Sequence, residues 1–481
     1  TSHDIKNSNR NISLLGLISE NGTIKFEGST NARTGMGSGY GLLISHYLKL
    51  DGVIDLNGES QLVQPEGSIL DPLSSGNLQI DQQGKANSYN YNYWTSPVSN
   101  ANTSTINDGF ALNTVLYNGS SPFTFQSNFR AADGNDIVIS SYWLYTFSGD
   151  ADDYFTWQQF DENFKLEPGI GYSMKGTSGA ADLNVHQNYT FRGMPNNGDI
   201  SVAVGEDQNL LTGNPYPSAI DSEKFIEENA IQQQNFNGSL YFWDHFGKID
   251  SHYLEEYVGG YAVLNKSGSV SSASSIDSRI ETETDLRGSK KPGRYIPVGQ
   301  GFFINTQGAS NPQQITFKNK YRVFVPESSG DSQFHSQEDD PKKSDENKYE
   351  KDTRHKIRLK LESPKGYHRQ ILATADVNTT DGFDLGYDAP LIENNVEDLY
   401  WMIDESKFVI QGVPDFNKAR VLPIGFKIAE AGEYTIKIDE LENIQNDIDI
   451  FLYDTEIEKY HDLIKSDYKV TTDSVGIFNE K

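Results

Sequence analysis

Short apolar runs separated by polar turn residues make up most of this chain. In the runs 137–147 and 357–361, apolar and polar side chains alternate, as they do on a strand with one buried face. Gly, Asn, Ser and Thr interrupt almost every run, which favours strands and turns. We therefore predict an all-β fold. Residues Ser222–Gln233 are the exception and predict a helix with Asp221 as its N-cap. Its predicted buried stripe is Phe225, Ile226 and Ala230.

Four short motifs occur twice, in the same order, in the middle of the chain. The first set is Tyr-Trp-Thr-Ser-Pro at 93–97, Trp-Leu-Tyr-Thr-Phe at 143–147, Pro-Gly-Ile-Gly-Tyr at 168–172 and Tyr-Thr-Phe-Arg at 189–192. The second set is Gly-Asn-Pro-Tyr-Pro-Ser at 213–218, Leu-Tyr-Phe-Trp at 240–243, Pro-Val-Gly-Gln-Gly-Phe-Phe at 297–303 and Ile-Thr-Phe-Lys at 315–318. Because loops of unequal length separate the motifs, they indicate a duplicated β-domain whose loops have diverged.

The first three predicted segments cover residues 1–325. Residues 1–91 carry apolar pairs between Asp-Gly and Asn-Gly corners, a pattern that fits the coils of a parallel β-solenoid or the strands of a meander. Residues 92–208 and 209–325 are predicted to form two related β-sandwich-like modules. A Ser-rich polar stretch at 263–293 predicts a long loop inserted into the second module.

Two further segments complete the predicted organisation. Residues 326–356 carry mixed charges and no aliphatic side chain, so they cannot bury enough surface to offset their ordering entropy and predict a flexible linker. Residues 357–481 contain seven strand-like runs joined by Gly, Asn and Asp turns. This pattern predicts a C-terminal antiparallel β-sandwich of jelly-roll type.

Charge and cysteine content exclude several classes of function. The chain has 40 Lys and Arg against 68 Asp and Glu, a net charge of −28, which repels phosphate backbones and excludes nucleic acid as a partner. Cysteine is absent, so disulfides, zinc–thiolate sites and thiol nucleophiles are excluded. No apolar run approaches the roughly 18 residues of a membrane-spanning helix, and we predict no transmembrane segment.

Several motifs resemble those of large secreted surface proteins of gliding Bacteroidota. The resemblance lies in Leu50-Asp-Gly-Val-Ile-Asp-Leu-Asn-Gly58, in Tyr91-Asn-Tyr-Trp-Thr-Ser-Pro97 and in Gly213-Asn-Pro-Tyr-Pro-Ser218. It continues in Ile296-Pro-Val-Gly-Gln-Gly-Phe-Phe303 and in Thr380-Asp-Gly-Phe-Asp-Leu-Gly-Tyr-Asp-Ala-Pro390. Together these motifs span nearly the whole chain.

The resemblance implies export by the type IX secretion system to the cell surface. Proteins of this kind carry a C-terminal sorting domain, of type A here, which is expected to follow the position where the given sequence ends. The implied partners during export are the translocon and its outer-membrane shuttle β-barrel. The implied location is extracellular, and the implied activity is that of an adhesin or a surface protein associated with gliding motility.

One candidate cation site is apparent. Asp381, Asp384 and Asp388 lie close together on a stretch with two glycines, and hard cations such as Ca²⁺ prefer oxygen ligands at short intervals. The alternative is that these side chains close turns by accepting hydrogen bonds from nearby backbone N–H groups. We predict no other cofactor.

No catalytic residues are predicted. The nine His residues are scattered, and neither His-Glu-x-x-His nor Gly-x-Ser-x-Gly occurs. The five Trp residues allow two interpretations: exposed platforms for sugar rings or partners, or buried plugs of β-sheet cores, which we favour. They are Trp94, Trp143, Trp157, Trp243 and Trp401.

Three hypotheses for function follow. The first is a non-enzymatic adhesin or scaffold that presents its loops at the cell surface. The second is a module that binds or processes surface glycans, which would need exposed Trp residues and, for catalysis, a cleft with two facing carboxylates. The third is a cargo or accessory protein that stays bound to the outer-membrane translocon, which co-purification would reveal.

Overall fold

The structure is a computed structural model that describes most of the chain. The described residues are 8–32, 37–100, 106–134, 136–150, 153–179, 185–246, 251–253, 256–273, 288, 290–332, 352–444 and 448–479. Most of the predicted linker, 333–351, and most of the predicted inserted loop, 274–287, lie outside the described residues. Strands dominate the remainder, which confirms the predicted all-β class.

The strands of the N-terminal third are β1 Ile12–Ser19, β2 Thr23–Phe26, β3 Gly41–Leu50, β4 Val53–Leu56, β5 Gln61–Val63, β6 Ile69–Leu70 and β7 Asn77–Lys85. Those of the middle, up to the second helix, are β8 Tyr91–Trp94, β9 Val98–Ser99, β10 Leu116–Asn118, β11 Ser121–Pro122, β12 Thr124–Gln126, β13 Val138–Ser140, β14 Tyr145–Gly149, β15 Trp157–Gln159, β16 Tyr172–Lys175, β17 His186–Pro195, β18 Ile200–Ala203, β19 Asn209–Gly213 and β20 Ala219–Asp221. The α-helices are α1 Leu112–Val115 and α2 Ser222–Ile226.

Beyond α2 the strands are β21 Leu240–His245, β22 Gly259–Asn265, β23 Gly268–Val270, β24 Tyr295–Ile296, β25 Gly301–Asn305, β26 Gln314–Phe317 and β27 Arg322–Val323. The C-terminal strands are β28 Lys356–Glu362, β29 His368–Ala375, β30 Ala389–Pro390, β31 Asp398–Ile403, β32 Ser406–Val413, β33 Ile424–Ile428, β34 Gly432–Glu442, β35 Phe451–Asp454, β36 Lys459–Asp462, β37 Tyr468–Thr472 and β38 Gly476–Phe478. Short 3₁₀ turns occupy Ser141–Trp143, Tyr154–Thr156, Asn319–Tyr321 and Glu327–Ser329.

The chain forms two compact units. The first consists of Thr1–Phe236, Ile249–Glu256 and Gly293–Asp345, and the second of Asn237–Lys248, Tyr257–Pro292 and Glu346–Lys481. The predicted boundary at residue 209 lies inside the first unit, and β21–β23 of the predicted second module belong to the second unit. No helix in the described part of the chain has the length and apolarity that a membrane span requires.

The N-terminal strands of the first unit are coils of a parallel solenoid. β3 pairs in parallel with β1, β5 and β6, while β4 pairs in parallel with β2 and β7. A meander would require antiparallel neighbours, so the solenoid is the correct alternative. Its interior is apolar because alternate side chains point inward, and Leu48, Ile54 and Ile80 are fully buried. Gly58 turns one corner with a φ of +61°, a conformation that favours glycine.

The duplicated motifs of the first unit pair in the same register. In the first copy Trp94 lies opposite Tyr172, and Phe191 opposite Ile80. In the second copy Thr212 lies opposite Phe302, and Phe317 opposite Ile200. The copies also meet reciprocally: Trp94 forms a β-bridge with Gln300, and Thr212 forms one with Ile170. Each motif pair therefore fills equivalent positions in its own copy.

The predicted helix is present, with the expected cap and buried stripe. The α-helix Ser222–Ile226 continues as a π-helical turn at Glu227–Gln232. The Asp221 side chain accepts a hydrogen bond from the backbone N–H of Glu223 and forms two with Arg294. The predicted stripe residues are fully buried: Phe225, Ile226 and Ala230.

In the second unit, the C-terminal strands form a nine-stranded sheet in the order β37-β34-β28-β29-β32-β31-β33-β38, with β30 beside β32. Each of the seven predicted strand runs overlaps a strand of the structure; the runs are Ile357–Leu361, Arg369–Ala375, Leu399–Ile403, Phe408–Gln411, Val421–Ile428, Tyr434–Ile438 and Ile448–Asp454. The pairing departs from the predicted antiparallel arrangement at β29 and β32, which run parallel. A parallel pair needs a long crossover connection, which residues 376–405 provide.

Candidate functional site

A row of aromatic side chains lies on one side of the neighbouring strands β8, β16, β14 and β15 in the first unit. Residues directly opposite each other on antiparallel strands share a face. Trp94 and Tyr172 form one such pair, which belongs to the buried core. The other side of the sheet carries three aligned sets, which we call the aromatic face: Tyr91 with Lys175, Tyr93 with Ser173 and Tyr145, and Phe147 with Trp157.

Lys175 is the one cation among the side chains of this face, and it is buried. The residue is only 2% exposed. Its Nζ lies 3.6 Å from the ring centroid of Trp143 and 4.8 Å from that of Tyr91. Nζ is also 2.9 Å from Nδ1 of His252. The lysine is thus held between aromatic rings and an imidazole.

His252 connects this amine to a carboxylate. Its Nε2 lies 3.0 Å from Oδ1 of Asp133. Because a carboxylate can only accept, Nε2 carries the hydrogen and Nδ1 accepts from the amine of Lys175. The imidazole stacks on Trp143, with ring centroids 4.9 Å apart and planes inclined by 24°, and also contacts the ring of Tyr89 at 4.6 Å. The result is a hydrogen-bonded chain from Lys175 through His252 to Asp133.

Burial lowers the pKa of both bases in this hydrogen-bonded series, Lys175 and His252. The pKa of Lys175 falls from 10.5 to about 6 because its amine is desolvated, an effect that the nearby Asp133 carboxylate opposes only in part. Desolvation also lowers the pKa of the His252 imidazole, and the Lys175 amine lowers it further. Above pH 7, therefore, both groups are largely neutral.

Exposed rings extend the aromatic face at its edge. Phe129 is 42% exposed and Tyr142 is 43% exposed. Their ring centroids lie 6.0 Å apart, and the ring of Tyr142 lies 4.8 Å from that of Trp143. The indole Nε1 of Trp143 donates a 2.8 Å hydrogen bond to the Phe129 carbonyl, which fixes the loop that carries this rim. The rim can therefore contact a ligand from solution.

The tryptophans divide between the two predicted roles. Trp94 and Trp401 are buried core residues, as the favoured interpretation predicts. Trp143, Trp157 and Trp243 are only half-buried. Trp143 and Trp157 lie at or on the aromatic face, whereas Trp243 packs edge-on against Tyr261 in the second unit. The platform interpretation therefore fits two of the five.

The three predicted cation ligands are engaged in separate contacts. Asp381 pairs with Arg420, and Asp384 accepts hydrogen bonds from the backbone N–H and the hydroxyl of Thr380. Asp388 accepts from the backbone N–H groups of Asp384 and Gly412. Within the described ranges, no group of three or more His, Asp or Glu side chains could hold a metal ion. Asp384 and Asp388 thus accept hydrogen bonds from backbone N–H groups, as the turn-closing alternative describes, whereas Asp381 forms an ion pair; the Ca²⁺ site stays a prediction.

A small polar cleft in the first unit, with a volume of about 20 Å³, bears on the hypothesis of glycan processing. Its lining includes the carboxylates of Glu59, Asp81 and Glu327. Glu59 accepts hydrogen bonds from Ser328, and Asp81 accepts from Gly58 and Thr190. These bonds tie Glu59 and Asp81 to neighbouring loops.

The sequence patterns did not reveal the chain of Asp133, Lys175 and His252. His252 is 77 residues from Lys175 and 119 residues from Asp133, and no motif links them. The one available signal lies in the duplicated motifs. The strand register shows that Asn305 in the second copy corresponds to Lys175 in the first copy. The two copies therefore differ at this position, where the first has a lysine and the second an asparagine.

Comparison with known proteins identifies one family to which the chain is similar. No curated protein and no solved structure matches the chain. A family model described as Domain of unknown function (DUF8693) matches residues 18–481. The chain therefore belongs to this family.

Proposed function

We propose that this protein is a non-enzymatic adhesin of the cell surface that binds glycans through the aromatic face. The observation that carries the proposal is the row of aromatic side chains on the side of strands β8, β16, β14 and β15 opposite Trp94 and Tyr172, which ends in the exposed rim rings of Phe129 and Tyr142. Within this row Tyr93 and Phe147 are buried against Phe303, and the half-buried rings are those of Tyr91, Tyr145 and Trp157. Aromatic rings present flat apolar surfaces that suit the C–H faces of sugar rings, and Tyr hydroxyls add polar contacts at their edges.

Charge narrows the class of glycan. The net charge of −28 disfavours polyanionic polysaccharides by long-range repulsion. Lys175, within the face, is buried and largely neutral above pH 7, so it supplies no counter-charge for a sulfate or carboxylate group; at the rim, Arg130 lies over the ring of Phe129. A neutral polysaccharide is the expected ligand.

The proposed location rests on the motifs that resemble exported surface proteins of gliding Bacteroidota. We infer export by the type IX secretion system, with the translocon and its shuttle β-barrel as transient partners. Two experiments on native cells test this part. A surface-exposed protein should be accessible to protease added to intact cells, and purification should identify stable partners. Stable co-purification with translocon components would favour the accessory role instead.

Glycan binding can be tested with the full chain and insoluble polysaccharides. Protein depleted from solution by neutral and by anionic polysaccharides is measured for the wild type and for the double variant Phe129→Ala/Tyr142→Ala. Loss of the two exposed rings should weaken binding to the neutral ligand about tenfold, which corresponds to ~1.4 kcal/mol. Tyr460→Ala is the matched control because Tyr460 is a 73% exposed aromatic of the second unit. Equal binding by all three proteins would refute the proposed surface.

A further inference from the structure

The N-terminal end of the solenoid leaves part of its apolar interior uncovered. Among the described residues, strand β1 is the edge of its sheet and β3 is its neighbour. Three inward-facing aliphatic side chains of β1 lie opposite three of β3; the pairs are Ile12 with Leu42, Leu14 with Ile44 and Leu17 with Leu48. The three β3 side chains are at most 1% exposed, whereas their β1 counterparts are only half-buried. The apolar interior is therefore open to solvent at β1.

Strand β1 also has an apolar outer side and no charge. In the other sheet of the solenoid, Ser8 forms a parallel bridge with Phe26 of β2, and Phe26 is fully buried. On β1, by contrast, the outward-facing Leu15 is 76% exposed and Ile18 is 60% exposed. The segment Ile12–Ser19 contains neither a charged residue nor a proline. Because edge strands are commonly protected by charged residues or proline, an apolar edge without them marks a surface for association with another strand.

The order of inward and outward residues in β1 is the same in both directions. The less exposed positions are Ile12, Leu14, Leu17 and Ser19, and the alternation reverses at Leu15–Gly16, where the register with β3 shifts. In an antiparallel pair of β1 strands centred on this point, residue 12 lies opposite residue 19 and residue 14 opposite residue 17. Opposite residues share a face, so inward side chains meet inward side chains at every position. A slip of one residue would destroy this match.

We propose that the protein forms a two-fold dimer in which β1 of one copy pairs antiparallel with β1 of a second copy. Leu14 of each copy then lies opposite Leu17 of the other, and the two solenoid interiors cover each other. The contact uses the same patch on both copies, so it closes with two molecules. Although the net charge is −28, the paired strands bring no like charges together. This inference is independent of the proposed glycan binding, since β1 is not part of the aromatic face.

Sedimentation velocity of the full chain tests the dimer. The wild type should sediment mainly as a dimer at about 100 µM and dissociate on dilution, as a small interface does. Leu15→Lys should raise the dimer dissociation constant about tenfold, since the two introduced charges would be diagonal neighbours on one face. Leu73→Lys is the matched control, because Leu73 is a 73% exposed leucine of the same unit outside β1. It should leave the dimer unchanged, and far-UV circular dichroism should show that both variants fold.

Cysteine variants test the register, because the natural chain contains no cysteine. In the proposed pairing Ser13 lies opposite Ile18 of the second copy, so Ser13→Cys/Ile18→Cys should form covalent dimers under mild oxidation. Ser13→Cys alone should not, since its two copies would lie roughly 17 Å apart along the strands, beyond the reach of a disulfide. A monomeric wild type, oligomers larger than a dimer, equal weakening by Leu73→Lys, or equal cross-linking by the single variant would each overturn the proposal.

Discussion

Replacing Lys175 by Met should stabilise the first unit at neutral pH, although it removes a hydrogen bond. The folded protein lowers the pKa of this amine from 10.5 to about 6, so at pH 7 folding must neutralise a group that is charged in the unfolded chain. The difference between pH 7 and 10.5 corresponds to roughly 5 kcal/mol at about 1.4 kcal/mol per pH unit. Methionine has a similar length, carries no charge and packs well on aromatic rings.

Two losses reduce the expected gain. The Nζ–Nδ1 hydrogen bond is worth about 1 kcal/mol, and the N–H···π contact of the neutral amine with the rings of Trp143 and Tyr91 about 1 kcal/mol more. A net stabilisation of about 2–3 kcal/mol at pH 7 is therefore expected. The stability of the wild type depends on pH because an amine with a lowered pKa binds fewer protons in the folded state than in the unfolded state. Wild-type stability should rise with pH between about 6 and 10.5, and the advantage of the variant should shrink over this range.

Native-state hydrogen exchange, followed by mass spectrometry of peptides from β8 and β16, measures this local stability at pH 7 and pH 9. It is preferable to a single melting temperature because the chain has two compact units. The variant should show slower exchange at pH 7 and an advantage smaller by about 2–3 kcal/mol at pH 9. The reasoning is refuted if the variant is less stable than the wild type at pH 7, or if the difference does not change with pH.

Three other substitutions test the packing of the two units. Arg322→Met should destabilise the first unit by about 3 kcal/mol in denaturant unfolding, since it removes three buried hydrogen bonds, to Asn197, Asn319 and the Leu62 carbonyl, each worth about 1 kcal/mol; a loss under 1 kcal/mol would contradict this. Arg369→Met should cost the second unit about 3–5 kcal/mol at pH 7, because Asp398 then stays buried without its ion pair, and the cost should fall in acid. Gly84→Ala should cost about 1–3 kcal/mol in thermal unfolding, because the new Cβ would lie 2.4 Å from the indole of Trp94; unchanged stability would exclude this clash.

Features that depend on local sequence could be predicted. The helix after Asp221 follows from a capping side chain and a stripe at helical spacing, and both are visible in consecutive residues. The strand runs of the C-terminal domain follow from alternation in the same way. Strand pairing is harder to predict, because the alternation of side chains does not specify which strand lies beside which. The corners in residues 11–91 fit a solenoid or a meander until the parallel register is known.

The candidate site could not be predicted because its members are distant in the chain and each is ordinary alone. Lys175 ends a strand, Asp133 lies in a loop and His252 lies in another loop. In a chain with 68 acidic residues, a carboxylate near a histidine carries little information. Only the strand pairing, which places Lys175 opposite Tyr91, and the approach of the segment at 251–253 bring the three groups together.

The duplication allows the special character of this site to be judged within one molecule. Both copies use one register, and both fill the core side of it with large or well-packed residues: Trp94 and Tyr172 in one, Thr212 and Phe302 in the other. On the opposite side the second copy pairs Asn209 with Asn305, two side chains that carry no charge. The first copy instead buries an amine, which costs stability near neutral pH and requires an imidazole and a carboxylate around it. Because the second copy adopts the same register with an uncharged pair, the register by itself does not require the buried amine of the first copy.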